Sequence, residues 1–187
     1  MALLLLAGLS CFGQDTTGNA TTNPEGGLDQ PIEVSITTND SALVYYNKGL
    51  ENAKIGKNGD ASRQFTRAIE LDPNFALAYM GRANVKFLEI DFDGGLWDYD
   101  RAVELTEESI RVHRIKGKVK RVMENHTGST LEYARATTLE GYLAEMLYRR
   151  GNLKMFLEDK AGCCDDLTRA KELGYMRDVT EYQNYCK

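Results

Sequence analysis

The chain has 187 residues, 42% hydrophobic and 27% charged, with a formal net charge of −5, which is enough for one compact domain plus a tail. The negative charge is local: residues 14 to 40 contain Asp15, Glu25, Asp29, Glu33 and Asp40 and no Lys or Arg, and the other carboxylates match the 23 basic side chains. A neutral folded part argues against nucleic acid as the main partner.

Residues 1–13 form a short apolar run ending in small residues. The run is far shorter than the ~20 residues a membrane-spanning helix needs, and it reads as a secretory signal peptide cut before Gln14, although it lacks the usual basic start. The expectation is export to the periplasm or the medium, with Cys11 as a lipid-bearing cysteine in the alternative. Residues 14–40 are rich in Thr, Asn and Gly, hold two of the three prolines, and read as an acidic flexible tether. Within it, Ile32, Val34 and Ile36 alternate as a short extended segment would.

From residue 41 the sequence is periodic. TRAIEL at 66–71 recurs as DRAVEL at 100–105, ARATTL at 134–139 and TRAKEL at 168–173, always 34 residues apart. Small residues share that register at Gly49, Ala83, Gly117 and Gly151, and again at Ala61, Gly95, Ser129 and Cys163. Phe65, Tyr99, Tyr133 and Leu167 are large plugs; alanine is invariant at Ala68, Ala102, Ala136 and Ala170; Leu71, Leu105, Leu139 and Leu173 follow three residues later. Small columns let helices approach, and large ones fill the seam.

Tyr45, Gly49, Ala61, Phe65, Ala68 and Pro73 stand at the spacing of the tetratricopeptide repeat, which the chain resembles over four gapless units, 42–75, 76–109, 110–143 and 144–177. The resemblance implies an all-α superhelical solenoid of four helix–turn–helix repeats over 41–177, eight helices in all, with a capping helix at 178–187. The chain departs from the family at Asn52, Lys86, Lys120 and Lys154, where an aromatic is expected, and only the first unit keeps the closing proline. The third unit is the most eroded; its β-branched run from Ile110 to Val122 would pass for a strand in isolation, but the period argues for a helix.

No catalytic or cofactor motif is present. His113 and His126 read as solvated residues, and Asp91-Phe92-Asp93-Gly94 lacks the ligand set of a calcium loop. The Cys-Cys ending resembles that of exported bacterial repeat proteins, which implies a Cys164–Cys186 disulfide with Cys163 as a buried thiol; unpaired buried thiols are the alternative. By the same resemblance the first helices of the repeats line a concave groove for a protein or peptide. That groove would hold Tyr46, Leu50, Met80, Asn84, Phe87, Tyr148, Asn152 and Met155, together with a basic stripe of Arg111, Arg114, Lys118 and Arg121 suited to an acidic or carboxylate-ended peptide. The functional expectation is a non-enzymatic interaction module without cofactors; the alternatives are a scaffold subunit of an envelope complex and a regulator of an envelope hydrolase.

Overall fold

The computed structural model describes residues 37, 39–175, 185 and 186. The expected signal peptide, nearly all of the expected tether and most of the expected capping segment therefore lie outside the described residues. Six helices follow in order: α1 (Asp40–Lys54), α2 (Asn58–Leu71), α3 (Ala76–Leu88), α4 (Phe92–Val122), α5 (His126–Phe156) and α6 (Lys160–Glu172). No strand occurs among the described residues, and the run from Arg111 to Val122 is helical throughout. None of these helices is long and apolar enough to cross a membrane.

The 34-residue period is visible in the turns. Gly56, Ile90, Glu124 and Glu158, each 34 residues from the next, all take positive φ, between 58° and 74°. After three of these turns an Asx side chain caps the next helix: Asp91, Asn125 and Asp159 accept from the backbone N–H of Gly94, Gly128 and Gly162 at 2.8–3.0 Å. Such caps satisfy an otherwise orphaned helical donor. The glycine is needed at the third position, because a Cβ on Gly94 or Gly162 would sit about 2 Å from the capping carboxylate.

The turns between units are not all equal. After α2, Asp72-Pro73-Asn74 stops the helix, since proline has no N–H to continue the ladder and forces its neighbour out of the helical region. The equivalent stretches after the second and third units, Thr106-Glu107-Glu108 and Glu140-Gly141-Tyr142, contain no proline, and the helix runs on through both. Thr106 and Ser109 bond back to the carbonyls of Ala102 and Leu105 at 2.8 and 3.0 Å, so their hydroxyls stay inside the helical pattern. Six helices replace the expected eight for this reason: α4 and α5 are each two repeat helices fused.

Fusion changes the stacking. Phe65 of α2 lies between Gly49 of α1 and Gly81 of α3, where a Cβ on either glycine would come within 2.7 Å of its ring. Its cluster includes buried Val85. The next seam repeats this arrangement not with the third unit but with the fourth: Tyr99 of α4 packs with Ala83 and with Leu153 of α5, and Leu153 stands 68 residues, two periods, after Val85. Ring contact between Phe87 and Phe156 (5.3 Å) ties α3 directly to the end of α5. The first, second and fourth units are consecutive layers. The third, the far half of α4 and the near half of α5, continues as an antiparallel hairpin past the edge of the stack, about 20 Å for thirteen helical residues.

That hairpin keeps the internal packing of a repeat. Tyr133 covers Gly117, within 3.0–3.2 Å of a notional Cβ, and the Ser129 hydroxyl donates to the Gly117 carbonyl at 2.8 Å. Ala136 and Leu139 are buried below. At the other end of the chain Cys164 and Cys186 form a disulfide with Cα atoms 5.5 Å apart, and Cys163 is a buried free thiol. Burial raises the Cys163 pKa, with Asp166 and Asp159 adding to the shift.

Two outcomes follow. Ile90→Gly relieves a β-branched residue at φ 65° and raises unfolding stability by about 1 kcal/mol, measured by denaturant titration. Reducing the Cys164–Cys186 bridge, which spans 22 residues, lowers stability by about 3 kcal/mol in the chain-entropy model; among the three described cysteines of the oxidised protein, Cys163 alone is alkylated, and only after denaturation.

Candidate functional site

The concave face is lined by α1, α3 and the second half of α5. At its centre Asn84 Oδ1 accepts from the Tyr99 hydroxyl and from Arg149 Nη1 at 3.1 Å. Arg149 in turn holds Glu145 Oε1 through Nε and Nη2 at 3.0 and 2.7 Å. Burial raises the Tyr99 pKa, so this hydroxyl stays a donor at physiological pH. One layer on, Asn152 occupies the place of Asn84, 68 residues later. The partner there is Leu167 instead of Tyr99, and the buried Asn152 Oδ1 has no hydrogen-bond partner among the described residues. A buried unpaired acceptor costs about 1–3 kcal/mol.

Between the helices of each unit runs a second polar column. Asp98, fully buried, receives Arg82 through Nε and Nη2 at 2.9 and 2.7 Å and Lys86 at 3.0 Å. Two periods later Asp166, also fully buried, receives Arg150 Nε at 2.7 Å and Lys154 at 3.0 Å. Glu132 holds the same position in the hairpin and takes Lys120, His113 Nδ1 at 2.7 Å and Arg135 at 3.3 Å. The lysines found where the repeat expects an aromatic are thus buried-pair partners. The first unit has the neutral counterparts, Asn52 and Gln64. The acidic column Asp98, Glu132 and Asp166 was present in the sequence at the same period and is the signal that reading for apolar positions misses.

The predicted site residues divide into three groups. Leu50, Met80, Asn84, Asn152 and Met155 lie half-buried on the concave helices. Tyr46, Phe87 and Tyr148 are on the same helices but belong to the scaffold. Tyr46 packs on Phe65 and Phe75 with ring centroids 5.8 and 4.9 Å away, and burial, with Tyr142 and Glu145 nearby, raises its pKa. Phe87 closes a cluster with Phe92 and Phe156, and Tyr148 stacks on Tyr175 at 4.6 Å. The basic stripe is not in the groove. Arg111, Arg114, Lys118 and Arg121 lie on the far half of α4, which fusion carries out of the stack; Arg114 pairs with Glu140 across the hairpin, and Arg121 lies over the Tyr133 ring at 5.3 Å. Sequence reading missed Arg149, the cation held at the centre of the concave face. His113 is likewise paired, to Glu132, rather than solvated; His126 is exposed at the start of α5. No group of three His, Cys, Asp or Glu side chains that could hold a metal occurs among the described residues.

Glu132 makes the hairpin sensitive to acid. Burial pushes its pKa up, but Lys120 and His113 outweigh it and hold the carboxyl at about 2, against 4.5 for the free group. A depressed folded-state pKa contributes stability that is complete above about 4.5 and lost as pH falls toward 2, up to about 3 kcal/mol. Glu132→Gln should flatten the pH dependence of unfolding stability in that window without moving the Cys164–Cys186 disulfide, as measured by denaturation at stepped pH.

No protein-family model matches the chain, and no curated protein matches it in sequence. Solved structures do. The first TPR of Spaghetti (RPAP3), bound to the HSP90 peptide SRMEEVD, is 22% identical with a TM-score of 0.55, covering 78% of this chain and 90% of that one. A crystal structure of MamA is 16% identical with a TM-score of 0.36, covering 72% and 78%. With its 34-residue register, its repeated turns and its glycine-lined seams, the chain has the tetratricopeptide-repeat fold.

Proposed function

We propose that the protein is a non-enzymatic interaction module that holds a peptide or an extended segment of a partner on its concave face. The observation that carries this reading is the pairing of half-buried apolar residues with main-chain-seeking amides on α1, α3 and α5. Leu50, Met80 and Met155 supply adaptable contact area, and Asn84 and Asn152 supply half-buried amides at equivalent places in successive layers. The solved neighbour with the same fold carries the peptide SRMEEVD, whose acidic end accords with a preference for carboxylates. In this chain the cation available to such an end on the concave face is Arg149, and sharing it with Glu145 weakens that preference.

The reading includes export. The apolar, uncharged residues 1–13 support it, and the Cys164–Cys186 disulfide suits an oxidising compartment. An alternative within the same compartment is a scaffold subunit whose partner touches the convex face instead.

The test is a displayed library of random peptides selected against the oxidised protein. Selected peptides should bind Met155→Asp and Arg149→Met variants at least tenfold more weakly than the parent protein, read by fluorescence anisotropy, with circular dichroism unchanged. Peptides that bind both variants as well as the parent would place the interaction off the concave face.

A further inference from the structure

The projecting hairpin leaves one face uncovered, and its register identifies the face. Val112, Ile115 and Val119 stand one period after Ala78, Gly81 and Val85, the residues with which α3 packs on the preceding layer. Val85 is 0% exposed, whereas Val112, Ile115, Val119 and Val122 are 40%, 59%, 52% and 84% exposed. Spaced by three, four and three residues, they form a continuous apolar stripe about 15 Å long on one side of the helix. This is a repeat-stacking surface from which fusion has removed the neighbouring layer.

Cations border the stripe. Residues 110–122 contain Arg111, Arg114, Lys116, Lys118, Lys120 and Arg121 and no carboxylate. Arg114 and Lys120 are paired across the hairpin, while among the described residues no carboxylate pairs with Arg111, Lys116 or Lys118. Stripe-on-stripe contact between two copies would bring these like charges together, which disfavours a second copy as the occupant.

The base of the stripe lies where the N-terminal segment enters the fold. Thr37 donates to Asp72 and the Asn39 amide to the Leu71 carbonyl at 2.9 Å, fixing this end of the chain on the α2–α3 turn. Asn74 of that turn lines a recess of about 280 Å³ together with Leu105, Glu108, Ser109, Val112 and His113. Immediately upstream of Thr37 come Ile32, Val34 and Ile36, alternating with Glu33 and Ser35 and preceded by Asp29. Extended, Ile32 to Ile36 covers about 13 Å, close to the length of the stripe. Residues 14–36 carry four carboxylates and no cation.

From the position, length and charge of this segment we infer that residues 28–36 dock along the hairpin, seating Ile32, Val34 and Ile36 against Val112, Ile115, Val119 and Val122, with Asp29 and Glu33 in the field of Arg111 and Lys118. Tethering makes the contact intramolecular, so it forms at a high effective concentration that a free partner does not have. The site is separate from the concave face and does not depend on what binds there.

A glutamate-specific protease tests this on the full chain, because the segment offers Glu33 inside the docked stretch and Glu25 outside it. Glu33 should be cut at least tenfold more slowly than Glu25 in the parent protein. Ile115→Asp with Val119→Asp, both exposed positions, should bring Glu33 cleavage up to the Glu25 rate, with helicity by circular dichroism unchanged. Arg111→Gln with Lys118→Gln should weaken the protection and reduce its loss at high salt. Equal cleavage at Glu33 in the parent and the double aspartate variant overturns the inference. So does protection that appears only at concentrations where sedimentation shows a dimer, which would make a second copy the occupant.

Discussion

Where a helix is made to stop decides the architecture of this protein. A tetratricopeptide unit needs two reversals: one inside the repeat and one before the next. The internal reversals are all provided for, by four positive-φ residues 34 apart and by capping carboxylates or amides that hold the following helix. The reversal between units is secured only once, by Pro73. At the two later junctions every residue is compatible with helix, and hydrogen-bonded propagation past the junction adds a bond for each residue fixed, whereas a new turn would break several. Continuing the helix therefore wins twice, and the third unit moves out of the stack while the fourth takes its place.

The substitution of one layer for another works because the repeats share their seams. The fourth unit presents Leu153 to Tyr99 as the second presents Val85 to Phe65, and it repeats the Arg–Lys–Asp arrangement of the second unit atom group for atom group. A buried aspartate beside only one cation would be a liability; with a bidentate arginine and a lysine it becomes a fixed strut between the two helices of a layer. Those struts lie within units and not between them, so each unit keeps its own geometry whether or not it is stacked. The hairpin shows this most plainly: it retains Glu132 with Lys120 and the Gly117–Tyr133 contact while standing outside the solenoid.

Much of this was legible in the sequence. The period, the small and large columns and the fold class are legible in the sequence because each depends on contacts inside a unit and hence on a fixed offset, whereas the Cys164–Cys186 pairing is implied by the resemblance of the Cys-Cys ending. The position of the basic stripe depends instead on contacts between units. Placing Arg111, Arg114, Lys118 and Arg121 in the groove assumed that a unit in register is also a unit in the stack. The sequence holds the contrary signal in the missing prolines at Glu107 and Gly141, which mark a change in connectivity. Tyr46 and Tyr148 are engaged by aromatic partners outside the periodic columns or inside their own units, Phe65 and Phe75 for Tyr46 and Tyr175 for Tyr148, while Phe87 meets Phe156 of the fourth unit.

Moving a layer out of a solenoid creates two surfaces with different physical characters. The concave face is polar at its centre, with Asn84, Arg149, Glu145 and Tyr99 bonded to one another, so it is preorganised and costs little to keep ready for a ligand. The hairpin face is a layer surface without its layer: apolar along the axis, cationic at the margins, and exposed in the described residues. A surface of that kind favours association with something both apolar and acidic, and the chain carries such a stretch directly upstream of the point where Thr37 and Asn39 anchor it. The missing helix stop would then have a consequence beyond geometry, since the step that expels the third unit also exposes the face on which the acidic segment can lie, leaving the concave face free for a partner.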